Sequence, residues 1–148
     1  MTSSVNNGPL HILAAEDNPD DLFLLREAFK KAAVTSSLHD VGDGLQVVAY
    51  LTGRDAFADR GVYPFPHILL LDINMPGMNG FEVLQWIRGD PECGKLTVHI
   101  LSASSRQSDV QRAYELRANS YVVKPSRLSE LVKFAATLHE WHRVVALP

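Results

Sequence analysis

The sequence predicts an α/β fold, a parallel sheet with helices packed on both faces. Three observations predict it. Short apolar runs alternate with helix-like amphipathic segments along the whole 148-residue chain. The run HILLLD (67–72) is apolar enough for the centre of a parallel sheet buried on both sides. No internal repeat or low-complexity tract breaks the alternation, and the length suits one domain with a real core.

Taken in order, LHILAA (10–15) reads as the first strand and stops at Glu16 and Asp17. The first helix follows, with Asn18 as cap, Pro19 in its first turn, and Asp20 and Asp21 at its positive end. Its inward face is Leu22, Leu25 and Phe29. SSLHDV is a weaker second strand. GDGLQVVAYLTG is a helix expected to turn Leu45, Val48 and Leu51 inward and to stop at Gly53. A polar, aromatic and proline-rich connection, RDAFADRGVYPFP, leads to the third strand. The third helix runs from about Gly80 to Arg88, and TVHILSA is the fourth strand. SDVQRAYELRA is the fourth helix, with Asn119 as its expected left-handed stop. SYVVK is the fifth strand. SRLSELVKFAATLHEWH is the last helix, with Leu128, Leu131, Val132, Ala135 and Leu138 on one face.

Composition narrows the function classes. The chain is 46% hydrophobic and 21% charged, as in ordinary globular domains, and its formal net charge of −3 gives no overall basic footprint for nucleic acid. No apolar stretch approaches membrane-spanning length, and MTSSVNNGPL lacks the build of a signal peptide. A single cysteine, Cys93, cannot form an internal disulfide, which fits a reducing cytoplasm, and nothing around it suggests a reactive thiol.

The polar residues gather at strand ends: Glu16-Asp17 after the first, Asp72 after the third, Ser102 on the fourth and Lys124 after the fifth. All carboxyl ends of a parallel sheet share one edge, and open α/β sheets bind ligands there, where the strand order reverses. In the common order 2-1-3-4-5 the first and third strands are neighbours, so three carboxylates would crowd one site. Like charges at that range call for a cation, and oxygen ligands suit Mg²⁺ rather than zinc. A metal, a lysine and a hydroxyl around a central aspartate describe a phosphoryl acceptor.

The segments ILAAEDNPDD, LLLDINMPGMNG, ILSAS and YVVKP resemble, in order and spacing, the receiver domains of two-component response regulators. Asp72 and Ser102 are 30 residues apart, and Ser102 and Lys124 are 22 apart. The resemblance covers roughly Leu10 to His142. It implies the doubly wound (βα)5 flavodoxin-like fold and supplies the strand order 2-1-3-4-5. It also implies a tail over 1–9, a receiver over 10–142 with an extended connection at about 53–66, a C-terminal tail over 143–148, and no output domain. Three features resemble the single-domain regulators of phytochrome-type histidine kinases: LTGRDAFADRGVYPFPHILLLD, YELRANSYVVKP and the extended last helix ending in HEWHRVVALP.

The resemblance implies residue roles. Asp72 is the phosphoacceptor. Glu16, Asp17 and Asp72 bind Mg²⁺ (or Mn²⁺), with the backbone carbonyl of Asn74. Lys124 pairs with a phosphate oxygen, and the bond to Pro125 is cis. Ser102 and Tyr121 form the switch, and Asn74 and Ser104 tune dephosphorylation. The expected partners are a sensor histidine kinase of the phytochrome type and a downstream protein. Self-association is expected through the face of helices four and five or the C-terminal extension, with no nucleic acid and no membrane.

Plainer readings stand beside these. Glu16-Asp17 alone suits a helix end, Asp72 alone a turn, and Tyr121 alone a core position. His139 and His142 share a helix face, but with no third ligand in view they read as solvated, and the other four histidines as scattered. Trp141, with Val144, Val145 and Leu147, is either a partner surface or simple packing. Two other functions use the same aspartate. One is a phosphorelay intermediate that hands phosphate to a histidine phosphotransferase protein. The other is a phosphatase of the haloacid dehalogenase type, which wants an acid two residues after its nucleophile, where Asn74 stands.

Overall fold

The computed structural model describes residues 8–34 and 36–147; most of the expected 1–9 tail, and Pro148, lie outside the described residues. Strands β1 (Leu10–Ala15), β2 (Ser36–Val41), β3 (Ile68–Leu71), β4 (Thr97–Ser102) and β5 (Ser120–Val123) alternate with helices α1 (Pro19–Lys31), α2 (Gly44–Thr52), α3 (Gly80–Gly89), α4 (Gln107–Glu115) and α5 (Leu128–Val144). All strand pairs are parallel and the order is β2-β1-β3-β4-β5.

Alternate residues of a strand face opposite sides. Leu13 and Ala15 of β1, with Leu69 and Leu71 of β3, therefore enter the core under α2, α3 and α4. Leu10, Ile12, Ala14, Ile68 and Leu70 enter the second core, under α1 and α5. All four residues of β3 are buried, as its unbroken apolar run requires. The helix starts follow local capping chemistry. Asn18 accepts from the Asp20 and Asp21 N–H groups, Asp43 accepts from Gln46, and Asn79 and Glu82 form a reciprocal box.

Several details differ from the sequence reading. Helix α2 buries Val47, Tyr50 and Leu51 and leaves Leu45 69% exposed. Its rotation is set by Gly44, which packs so closely on the Met78 backbone that a Cβ there would sit 2.2 Å from the Met78 oxygen. The left-handed residue after α4 is Arg117, at φ 69°, not Asn119. The Arg117 carbonyl is gripped by Arg88 Nε and Nη2 at 3.0 and 2.8 Å, which holds that conformation. Asn119 instead accepts from the Val98 N–H at 2.8 Å and anchors the start of β4. The Lys124–Pro125 bond is trans, since no cis peptide occurs among the described residues. Trans is the lower-energy isomer of an X–Pro bond in the absence of a local constraint.

The long connection after α2 carries its own small core. Tyr50, Phe57, Tyr63 and His39 meet edge to face or tilted, with ring centroids 5.0–6.1 Å apart. Arg60 donates to the Tyr50, Leu51 and Tyr63 carbonyls at 2.8, 2.9 and 3.2 Å, satisfying the open end of α2 beside left-handed Gly53.

His11 and His67 are not scattered but come together with His142, whereas His39 packs on Tyr50 and Tyr63 and His99 on Trp141. His11 stacks on His67 at 5.2 Å, and His67 meets His142 at 4.7 Å. His142 is only 2% exposed, because the last turns of α5 lie over the base of β1 and β3 rather than in solvent. The His67 Nδ1 accepts from the His11 backbone N–H at 3.0 Å, a bond that protonation of that nitrogen would break. Burial, and then the neighbouring histidines, hold His67 and His142 below the ordinary imidazole value, and burial pushes His99 down to about 4. Each folded value lies below that of the unfolded chain, so the unfolded chain takes up protons first as the pH falls. This stabilisation is complete above about pH 6.5 and is lost as the pH drops from there through the folded values. Urea midpoints measured from pH 7.5 to 4.5 should fall with pH. The full loss due to His99 alone is on the order of 3 kcal/mol. A flat profile over that range would refute the assignment.

Candidate functional site

The parallel register brings the polar residues to one edge. The Asp72 N–H donates to the Ala15 carbonyl at 3.1 Å, Glu16 N–H to Val41 at 3.0 Å, and Lys124 N–H to Ser102 at 2.7 Å. These bonds extend the ladders past the strand ends and set the side chains in a row. Glu16, Asp72 and Ser102 are buried, whereas Asp17 is exposed.

Lys124 is the hub. Its Nζ lies 2.5 Å from Glu16 Oε1, 2.8 Å from Asp21 Oδ2 and 3.0 Å from Asp72 Oδ2. Three carboxylates thus surround one ammonium, which donates to Asp21 and Asp72 and pairs with Glu16. Burial alone would depress the lysine, but the bonds to Asp21, Glu16 and Asp72 outweigh it and hold the ammonium charged well above its ordinary range. Burial raises the Glu16 carboxyl above the usual carboxylate range, against the opposing pull of the Lys124 ammonium and the Asn18 N–H. The remaining oxygens are also placed. Glu16 Oε2 accepts from Asn18 N–H and Asp72 Oδ1 from Asn74 N–H, each at 3.0 Å.

Four carboxylates against one ammonium leave the site strongly negative. Oxygens of Glu16, Asp17 and Asp72 lie within 4.8 Å of one another. This all-oxygen set, open on the Asp17 side, fits a hard divalent cation such as Mg²⁺ or Mn²⁺. The adjoining cavity, between α1, α5 and the sheet, measures only about 40 Å³.

The loop after β3 depends on glycine. A Cβ on Gly80 would lie 2.4 Å from the Asp72 carbonyl oxygen and 2.6 Å from Ile73 Cα. Helix α3 therefore starts directly against the backbone that carries Asp72. Asn74 is exposed and meets Asp72 through its backbone N–H.

Ser102 and Tyr121 converge on one residue. The Ser102 hydroxyl accepts from Ser104 N–H at 3.2 Å, and the Tyr121 hydroxyl donates to the Ser104 carbonyl at 2.7 Å. The Ser104 hydroxyl donates to Asp109 Oδ2 at 2.6 Å at the start of α4. Tyr121 itself is half-buried against the core, so its packing and its hydrogen bond coexist.

Asp21 is the residue that sequence reasoning left out of the site. It is the third residue of α1, and helical side chains lean toward their own N-terminus, here toward the strand ends. That lean, following the Asn18 cap, was the available signal. No helix among the described residues is long and apolar enough to cross a membrane.

The family model described as the response regulator receiver domain matches residues 12–136. Response regulator Rcp1 of Synechocystis is 33% identical over 147 residues, 99% of this chain and 98% of Rcp1. The Mn²⁺-bound structure of Rcp1 superimposes with a TM-score of 0.80, covering 95% of this chain and 99% of that one. The response regulator RPA3017, from red light signalling of R. palustris, is 38% identical with a TM-score of 0.88, covering 94% and 98% of the two chains. The phosphorylated cyanobacterial phytochrome response regulator RcpA is 32% identical with a TM-score of 0.85, covering 95% and 99%.

Proposed function

This chain belongs to the response regulator receiver family, a family of signalling proteins, and we propose that it takes a phosphoryl group onto Asp72 from a histidine kinase of the phytochrome type. The observation that carries the reading is the convergence of Glu16, Asp72 and Lys124 from three strand ends, with Asp17 beside them. The kinase class rests on the names of Rcp1's fellow relatives, which include a phytochrome regulator and a red light regulator.

In the proposed step an Asp72 carboxylate oxygen bonds to phosphorus as the P–N bond of a phosphohistidine breaks. The imidazole leaves with the bond electrons and is protonated. Glu16, Asp17, Asp72 and the Asn74 carbonyl would hold Mg²⁺ or Mn²⁺, which when bound neutralises charge on the equatorial oxygens. Lys124 pairs with a further phosphoryl oxygen. Ser102 releases the Ser104 N–H to bond the phosphate. Because Tyr121 holds the Ser104 carbonyl, that movement is passed to the start of α4. The surface so altered includes Tyr114 and Val123, 49% and 45% exposed, on the face where a partner or a second copy would bind.

The test is incubation with acetyl phosphate and Mg²⁺, followed by intact-mass and peptide mapping. One phosphoryl mass on the Asp72 peptide, lost when EDTA replaces Mg²⁺, is expected. No incorporation, or incorporation elsewhere, overturns the reading.

A further inference from the structure

We propose that Asp21 is a positioning residue for metal loading, the counter-ion that lets Lys124 give up Glu16 and Asp72 to the cation. The inference rests on the metal site proposed above. Lys124 and a divalent ion draw on the same oxygens, because Glu16 and Asp72 each pair with the ammonium and each belong to the cation-binding trio. Two positive charges cannot share those oxygens at such range without strong repulsion. When the cation enters, the ammonium must loosen its hold on them.

Among the described residues, Asp21 is the one ion-pair partner of Lys124 that lies outside the trio. It comes from α1 rather than from a strand end. Its side chain is 38% exposed, against 8% for Glu16 and 7% for Asp72. It therefore stays hydrated and can follow the ammonium with little desolvation cost. Lys124 itself is only 15% exposed, and a buried charge stripped of partners is expensive. With Asp21 neutralised, Lys124 keeps its grip on Glu16 and Asp72, and the cation competes poorly.

Asp20 supplies the control. It sits beside Asp21 in the first turn and carries the same charge, but its carboxylate joins none of the ion pairs found among the described residues. A general charge effect would move both variants alike.

The experiment is a Mn²⁺ titration of the full chain, with free Mn²⁺ read by electron paramagnetic resonance. Asp21→Asn should weaken Mn²⁺ binding roughly five- to tenfold, and Asp20→Asn by less than about twofold. In a Lys124→Met background the extra effect of Asp21→Asn should vanish, since the residue acts through the lysine. Equal binding by the wild type and Asp21→Asn, equal weakening by Asp20→Asn, or an undiminished effect in Lys124→Met would each overturn the role. Asp17→Asn tests the underlying site separately. If it binds Mn²⁺ as the wild type does, the metal site is wrong, whatever Asp21 shows.

Discussion

Asp72→Asn should abolish phosphoryl incorporation, lowering it by at least about a thousandfold, while leaving the domain folded. An amide offers no anionic oxygen to attack phosphorus. Glu16 is held by Lys124 and Asn18, and Asp17 lies at the open side. Stability should move little. The amide can keep the bond from Asn74 N–H or the one from Lys124, but its single oxygen leaves one of them weakened. Against that loss, one charge leaves a site that holds four carboxylates and one ammonium. The two effects oppose each other, and the net change should stay within about 1 kcal/mol. Intact mass after acetyl phosphate treatment and a urea midpoint measure the two parts. Phosphate uptake at the wild-type rate would remove Asp72 from the site.

Gly80→Ala should destabilise the chain by about 3 kcal/mol. The new Cβ would meet the Asp72 carbonyl oxygen at 2.4 Å and Ile73 Cα at 2.6 Å. Both are backbone atoms, so no side-chain rotation relieves the clash. Either α3 withdraws or the Asp72 loop moves, and movement of the loop displaces the carboxylate from Lys124. The variant should therefore lose phosphorylation rate as well as stability. Gly89→Ala is the control: it lies at the far end of the same helix with nothing within 4 Å of its added methyl. If urea unfolding shows the two alanine variants equally stable, the close approach at Gly80 is not what shapes the loop.

The polar edge proposed to accept phosphate was legible in the sequence because each of its residues ends an apolar run. Glu16-Asp17, Asp72, Ser102 and Lys124 stop strands, and a parallel sheet can only gather such ends on one side. Asp21 was hidden because its local role, a carboxylate near a helix N-terminus, already explained it. The same holds for His142. Its spacing from His139 pointed to a helix face, but nothing local says that the face meets β1 and β3.

The local signals determined the order of strands and helices along the chain, the cap at Asn18 and the stop at Gly53. Those features rest on hydrogen bonds and periodicities spanning a few residues, which a chain carries wherever it is placed. Only the tertiary structure decided the rotation of α2, the stack of His11, His67 and His142, and the pairing of Lys124 with Asp21 across 103 positions. Each of these depends on the distance at which two separately formed segments come to rest. That distance is set by side-chain volume and close approach at the interface, which no single segment contains.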